Sequence, residues 1–405
     1  MNVSSGSHWF RSTVSAADSL YLVPTPVSTP WYHTPSERLV PFMTDKYFSV
    51  LGPVVLYWLA SGWFAFLDYI QLPFFEQYRL HEPEEVTSRN RVGPWKVAAM
   101  VMLQHAIQVG LGAMVLDGSQ SAIENARDHQ EGMRDIAAYV SSAALGLLGN
   151  STGLSFLKVA GPSTVHFIYW WGIPVVQFWW AFFVMDAWQY GLHRLFHESR
   201  FLYRHFHSHH HRLYVPYAYG ALYNHPLEGL LLDSAGAALA HAAALMTIRQ
   251  GVVLFMFSTF KTVCDHGGYA FPPWLDPLHL LFPNCAEYHD VHHQMQGLKY
   301  NYSQPFFVHF DTVFGTRISK EKFDKLKALG KEKKGTWGKD AKAASASSTA
   351  LKDPHAAEDL RRRRGEKNDG QHDLPPEEAV ELFGGDPLVT TNAVEYAAKA
   401  GTTVS

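Results

Sequence analysis

Four long stretches without a charged residue constrain this chain more than any other feature of its sequence. They cover residues 47–67, 97–116, 136–157 and 160–185, and each reaches the roughly 20 residues with which a helix crosses a bilayer. Polar residues in the third stretch also allow an interfacial or re-entrant segment. A large soluble helical core is the alternative, but four such stretches leave too little charged surface for it. The sequence therefore predicts an all-α integral membrane helical bundle.

The charged residues are concentrated at the end of the chain. Residues 319–405 hold 16 of the 34 lysines and arginines and 15 of the 37 acidic residues, which is typical of a disordered charged tail. We expect a polar segment at 1–46, membrane helices at 47–192 and a histidine-rich region at 193–318, with a membrane hairpin near 230–260. The net charge of -3 gives no reason to expect nucleic acid as a partner.

Histidines are the second unusual feature. Fourteen of the 23 fall between His193 and His293. His193 and His197 are one helical turn apart, so their rings project from one face. The pattern HxxHH then occurs twice, at 207–211 and at 289–293. One such spacing is weak evidence, but three within about a hundred residues indicate a metal centre.

The number of imidazoles is enough for two metal ions with four or five nitrogens each. The ten candidate ligands are His193, His197, His207, His210, His211, His225, His266, His289, His292 and His293. Imidazole suits iron, zinc, copper and nickel, so the choice of iron depends on the reaction. The two cysteines, Cys264 and Cys285, provide neither a disulfide framework nor a thiolate zinc site.

Ligand imidazoles usually donate their second ring N–H to an acceptor. The nearest acidic candidates in sequence are Asp265, Asp290, Glu228 and Asp311. We expect these four carboxylates to orient the ligands, with no catalytic residue beyond the metal ligands themselves.

Several sequence motifs around the histidines resemble those of a known family. The segments HRLYVPYAYGALYNHPLEG at 211–229, NYSQPFF at 301–307 and DTVFGT at 311–316, together with the three histidine clusters, resemble the fatty acid hydroxylase and sterol desaturase superfamily. Within it, they resemble the sphingolipid 4-hydroxylase (sphinganine C-4 monooxygenase) branch. The resemblance covers roughly residues 40–318.

The resemblance implies a di-iron monooxygenase that hydroxylates carbon 4 of sphinganine or dihydroceramide with dioxygen. It also implies electrons from NAD(P)H through cytochrome b5 and its reductase, and a multi-pass location in the endoplasmic reticulum membrane. Arginines that follow the fourth apolar stretch favour a cytosolic active site. The sequence itself carries no dinucleotide-binding loop, because Gly110-Leu-Gly112 lies inside an apolar stretch. Electrons are therefore expected from a separate protein.

An apolar substrate chain would lie among the membrane helices, with its polar head near the histidines. Candidate contacts for that head are Tyr214, Tyr217, Tyr219, Tyr223 and Asn224. The tyrosines alternatively form an aromatic belt at the membrane interface.

Two other functions stay open from the sequence. One is another lipid oxidase of the superfamily, such as a fatty acid 2-hydroxylase, a sterol methyl oxidase or a sterol desaturase. The other is a histidine-rich metal transporter, although transporters place their ligands near the middle of the bilayer within spanning helices.

Overall fold

The computed structural model describes residues 21–23, 26–117, 124 and 128–329. Regular structure in this part of the chain is helical, and the β-pairing described there consists of isolated bridges. The α-helices are α1 (Asp45–Ile70), α2 (Pro73–Glu76), α3 (Pro83–Arg89), α4 (Pro94–Val115), α5 (His129–Phe167), α6 (Ile173–Glu198), α7 (Arg200–His205), α8 (Pro226–Gly229), α9 (Gly236–Ala243), α10 (Ile248–Asp265), α11 (Leu278–Leu281), α12 (Ala286–His293) and α13 (His309–Val313). The prediction of an all-α fold is confirmed.

Among the described residues, three helical stretches are long and apolar enough to cross a membrane, namely α1, α4 and the stretch His129–Glu198. They leave large apolar side chains uncovered, including Leu59 at 67%, Leu147 at 85% and Val159 at 86% exposure. A water-soluble surface does not present such rows of apolar groups. The helices are therefore those of a membrane protein.

The third and fourth predicted stretches lie within His129–Glu198. Gly149 interrupts α5 with φ 76°, a left-handed conformation that glycine adopts without strain. A Cβ at Gly153 would lie 2.8 Å from the Ala144 carbonyl oxygen, so the chain folds back tightly on itself here. The predicted span 136–157 is therefore split near its centre, and whether it crosses the membrane stays a prediction. A π-helical segment, Ile168–Gly172, joins α5 to α6.

The described chain forms two compact units. The first combines the described residues up to Leu56 with those of Ile107–Met185 and Ala235–Ser258. An apolar cluster that includes Leu22, Met133 and Leu157 lies in its interior.

The predicted helical hairpin near 230–260 lies mostly in this first unit. Its helices are α9 and α10, preceded by a π-helical segment at Leu230–Ala235. The His241 ring packs where Gly251 lacks a side chain, and its Nε2 atom is 3.1 Å from the Thr247 carbonyl oxygen. Whether the hairpin enters the membrane stays a prediction.

The second unit combines Tyr57–Ala106, Asp186–Ser234 and the described residues from Thr259 onward. An apolar cluster in this unit includes Tyr57, Val97, Leu213 and Val263, each fully buried. This cluster brings together the ends of α1, α4 and α10 with the segment that follows the second histidine cluster.

Part of the predicted disordered tail is ordered, contrary to the prediction. Residues 320–329 are helical, and Phe323 packs with Val291 and Ile318, all three buried. This contact with α12 explains the order, because a buried aromatic ring offsets the conformational entropy of a polar segment. The rest of the predicted tail lies outside the described residues.

Candidate metal centre

Short helical segments of the second unit present the histidines. His193 and His197 lie one turn apart near the end of α6, and the second cluster forms the 3₁₀ segment His207–Arg212. His266 follows α10 directly, and the third cluster occupies the last turns of α12. Nine of the ten predicted ligands are buried, and they assemble into two groups.

The first histidine group contains five rings with closely approaching Nε2 atoms. Its members are His193, His197, His207, His211 and His292. The Nε2–Nε2 distances are 3.1 Å for His193–His207, 2.7 Å for His197–His207, 3.1 Å for His197–His292, 3.1 Å for His197–His211 and 3.0 Å for His207–His211. Nitrogens at right angles around a metal ion about 2.1 Å away lie about 3.0 Å apart. The spacing therefore fits one metal ion.

The hydrogen bonds of the Nδ1 atoms indicate which nitrogen of each ring carries the proton. The Nδ1 atoms of His193 and His292 each lie 2.7 Å from a carbonyl oxygen, of Tyr302 and Tyr300. The Nδ1 atom of His207 contacts a carboxylate oxygen of Glu228. Because carbonyl oxygens only accept hydrogen bonds, the Nδ1 atoms of His193 and His292 carry the protons and their Nε2 atoms carry lone pairs. Several lone pairs thus point at one spot, an arrangement that a bound cation stabilises.

The second histidine group contains four buried rings. Its members are His210, His266, His289 and His293. The Nε2 atom of His289 lies 3.1 Å from those of both His266 and His293. Nδ1 atoms again face carbonyl oxygens, with distances of 3.2 Å for His210 to Tyr223, 2.8 Å for His266 to Thr262 and 2.8 Å for His293 to Leu213. The same lone-pair argument therefore predicts a second cation here.

Each HxxHH cluster contributes to both groups. His207 and His211 belong to the first group, whereas His210 between them belongs to the second. In α12, His292 joins the first group, and His289 and His293 join the second. Shared segments hold the two groups side by side, which is the arrangement that a two-metal centre requires.

Burial keeps these imidazoles neutral. It lowers the pKa of His207, His211 and His292 well below the usual range of histidine, and repulsion between neighbouring rings lowers each pKa further. Burial likewise lowers the pKa of His210 to about 4. Metal ions bind the neutral form of imidazole, so the donor set fits a pair of ions with borderline preferences such as iron.

The structure leaves the predicted ligand His225 outside both groups. Its ring is half-buried, and its Nδ1 atom accepts a hydrogen bond of 3.2 Å from the Leu227 backbone N–H. This contact places His225 at the start of α8, where it serves as the helix cap. The predicted set of ten ligands is thereby reduced to nine.

The four predicted carboxylate acceptors have different surroundings. Only Glu228 contacts a ligand directly, through His207. Asp265 instead pairs with the buried Lys261, and Asp290 pairs with His81 at 2.8 Å. Burial, followed by repulsion from Asp233, raises the pKa of Glu228 well above its usual range.

Asp311 acts one step away from the ligands. Its carboxylate accepts hydrogen bonds from the backbone N–H groups of Tyr302 at 3.0 Å and Ser303 at 2.7 Å. The Tyr302 carbonyl in turn accepts the His193 proton. Asp311 therefore holds the loop that orients a ligand. Sequence reasoning missed the backbone acceptors themselves, because any residue can supply a carbonyl.

The predicted head-group residues separate into two sets. Asn224 lines a cavity beside the histidines, and the four tyrosines are not among the residues that line it. Tyr217 and Tyr223 pack in the apolar cluster of the second unit. The backbone carbonyl of Tyr219 accepts a hydrogen bond from Tyr57, and the Tyr214 ring lies 5.0 Å from the Arg91 guanidinium.

A buried polar network was also missed by sequence reasoning. Lys261 donates to Asp265 and, at 2.9 Å, to the Asn284 carbonyl oxygen, while the Asn284 amide donates to Asp265 at 3.2 Å. Asp265 and Asn284 line the same cavity. The spacing of Lys261 and Asp265 by four residues in an apolar segment was the available signal.

Comparisons with known proteins agree with this centre. The family model described as fatty acid hydroxylase matches residues 178–316, the region that supplies all nine histidines. No solved structure matches the chain.

Curated relatives extend the match over most of their own length. The chain is 44% identical to the sphingolipid C4-hydroxylase sur2 of Schizosaccharomyces pombe over 270 residues, covering 66% of this chain and 87% of that protein. It is 40% identical to the sphingolipid C4-hydroxylase of Saccharomyces cerevisiae over 284 residues, 70% of this chain and 75% of that protein. It is 39% identical to a very-long-chain aldehyde decarbonylase of Oryza sativa over 277 residues, 68% of this chain and 90% of that protein. Given this identity, this coverage and the shared histidine region, the chain belongs to the fatty acid hydroxylase family.

Proposed function

We propose that this chain is a membrane-bound, metal-dependent sphingolipid C4-hydroxylase that acts on sphinganine or dihydroceramide. The observation that carries the proposal is the pair of histidine groups, whose lone pairs converge on two spots beside one polar cavity. The relatives named sphingolipid C4-hydroxylases support the substrate class.

The metal in this proposal is iron, one ion in each histidine group. When bound, the iron pair supplies the redox chemistry with dioxygen that oxidation of an unactivated C–H bond needs and that side chains lack. Zinc would suit the imidazoles equally well but does not change oxidation state.

The chain's own residues perform three tasks in this account. Burial keeps the ligand rings neutral, so that their Nε2 atoms stay available to metal ions. Carbonyl oxygens and Glu228 fix the ring orientation through Nδ1. Most residues that line the cavity are buried, which limits the access of bulk water and so protects an oxidising site from side reactions.

The overall reaction needs a supply of electrons. One oxygen atom of dioxygen enters the C–H bond as a hydroxyl, and the other leaves as water, which consumes two electrons and two protons. We propose NAD(P)H as the electron source, with cytochrome b5 and its reductase as carriers, and an active site that faces the cytosol from the endoplasmic reticulum membrane. The absence of a dinucleotide-binding loop from the sequence supports a separate electron donor.

The aldehyde decarbonylase relative suggests a second reaction at similar identity. We favour the hydroxylase because the relatives with 44% and 40% identity carry that name, against 39% identity for the decarbonylase.

Expression of the full chain in cells that lack sphingolipid C4-hydroxylase tests the proposal. We expect 4-hydroxylated long-chain bases to appear with the native chain and with His209→Ala, and to be absent with His292→Ala. His209 lies in the same 3₁₀ segment as three ligands but outside both groups, so it is a matched control. Altered sterols, 2-hydroxy fatty acids or shortened alkanes in place of the 4-hydroxylated bases would contradict the proposal.

A further inference from the structure

The loop before α13 is hydrogen-bonded to one face of α6 at two places. The buried Asp186 carboxylate accepts hydrogen bonds from the backbone N–H groups of Phe306 at 3.1 Å and Phe307 at 2.6 Å. The second contact involves a histidine, because the Nδ1 atom of His193 lies 2.7 Å from the Tyr302 carbonyl oxygen. The loop therefore has a fixed position relative to a predicted metal ligand.

A glutamine pair connects the helix and the loop between these two contacts. Gln189 follows Asp186 by three residues and precedes His193 by four, so the three side chains lie on the same face of α6. The Gln304 Nε2 atom donates a 2.8 Å hydrogen bond to the Gln189 Oε1 atom. Both glutamines line a small cavity of about 30 Å³ that also borders both histidine groups. Two neutral amides are thus held beside the candidate metal centre.

Another glutamine pair, in the first unit, shows how such a pair bonds when its role is structural. The Gln250 Nε2 atom donates to the Gln177 Oε1 atom at 2.8 Å. The Gln177 Nε2 atom donates to the carbonyl oxygens of Ala244 and Leu245, each at 2.9 Å. The Gln250 Oε1 atom accepts a 2.8 Å hydrogen bond from the Thr247 backbone N–H. Each amide of this pair thus uses both its nitrogen and its oxygen in contacts with protein.

The cavity pair bonds differently. Within the described part of the chain, the side chains of Gln189 and Gln304 form no hydrogen bond except the one that joins them. The Gln189 nitrogen therefore keeps donors, and the Gln304 oxygen keeps an acceptor. A hydroxyl group donates one hydrogen bond and accepts another, so it matches both amides. Cations in the two histidine groups would repel an ammonium group, but they place no such penalty on a neutral hydroxyl.

We propose that Gln189 and Gln304 form a hydroxyl subsite that binds the alcohol on carbon 3 of the substrate. The inference rests on the proposed function and deepens it by naming residues that recognise the lipid. Carbon 3 is bonded to carbon 4, so a contact with its hydroxyl holds the carbon to be oxidised in the same cavity. The cavity holds roughly two or three water-sized groups, which is the size of a hydroxyl with its own carbon and the next one.

The subsite treats both candidate substrates alike, because sphinganine and dihydroceramide each carry the carbon-3 hydroxyl. A lipid without this hydroxyl leaves the free donor of Gln189 and the free acceptor of Gln304 unsatisfied. Each neutral hydrogen bond contributes about a 2- to 10-fold change in affinity. We therefore expect the native chain to bind sphinganine about 10-fold more tightly than 3-deoxysphinganine, which has the same chain, amine and carbon-1 hydroxyl.

The test uses the full-length, metal-loaded protein in lipid nanodiscs and measures equilibrium binding of sphinganine and 3-deoxysphinganine. Gln304→Met and Gln189→Met keep the side-chain length but remove the amide. Each should weaken sphinganine binding about 2- to 10-fold, leave 3-deoxysphinganine binding within about twofold of native, and so reduce the preference between the two lipids. Gln177→Met is the matched control, since it removes a glutamine of α6 that does not line the cavity, and it should keep the native preference.

The native protein keeps the inference falsifiable even if both methionine variants fail to fold. Equal affinity of the native chain for the two lipids would overturn the hydroxyl subsite. A folded Gln304→Met protein that keeps the full preference would overturn it too, because the hydroxyl is then bound elsewhere. If sphinganine is still hydroxylated at carbon 4 by the native chain, the proposed function stands while the subsite falls. If neither lipid binds, the proposed function fails and the subsite falls with it.

Discussion

The two histidine groups are built from the same segments but differ in ligand number and in support. The first has five imidazoles and includes a carboxylate, Glu228, among the Nδ1 acceptors. The second has four imidazoles, and its three identified Nδ1 acceptors are all backbone carbonyls. A metal ion in the first group is thus more completely enclosed by protein ligands.

The two histidine groups also differ in how many of their rings line the cavity. It touches two of the five histidines of the first group and three of the four of the second. Catalytic metal sites keep positions open for substrate, whereas structural sites are closed. The second histidine group is therefore the more open one, and the first group serves more to retain its metal ion.

The largest effect is expected from His266→Ala, which leaves the second group with three imidazoles. We expect the metal content of the purified protein to fall from two ions to one per chain and C4-hydroxylation to fall at least 100-fold. Metal analysis together with product analysis measures both. A variant that keeps two ions and native activity would refute the assignment of His266, and His209→Ala is the control that should change neither value.

A smaller effect is expected from His211→Ala, because four imidazoles remain in the first group. The first ion should still bind at saturating metal, but its affinity should fall at least about 10-fold, because even the loss of a residue that orients a ligand costs about 10- to 100-fold. Competition with a chelator measures the affinity. If His211→Ala loses one ion as completely as His266→Ala does, the first group does not retain its ion better than the second.

The smallest effect is expected from Asp311→Asn, which acts through the loop that orients His193. The carboxylate also accepts 2.7 Å hydrogen bonds from Tyr288 and Thr316, so part of a buried network loses its acceptor. The free energy of unfolding should fall by about 1–3 kcal/mol, and metal affinity should fall at the first group alone. A thermal denaturation series with chelator competition measures both, and an equal loss at the second group would contradict the positioning role.

The sequence predicts much of this architecture because helical periodicity is local. The one-turn spacings of His193 with His197 and of His289 with His293 predict shared faces, and those pairs do share a group. The uncharged stretches likewise predict the long apolar helices.

Long-range packing decides what the sequence does not reveal. The division of each HxxHH cluster between two groups depends on how α12 and the 3₁₀ segment are oriented in the second unit, which no spacing encodes. His225 has the residue type of a ligand but caps α8 instead. Gly149 splits an apolar stretch of spanning length, because a left-handed glycine reverses the chain.

The two-metal centre is tested most directly by anomalous scattering at the iron absorption edge from crystals of the full-length, iron-loaded protein. We expect two peaks per chain, one amid the Nε2 atoms of the five-histidine group and one amid those of the four-histidine group. A single peak, or peaks away from these nitrogens, would contradict it.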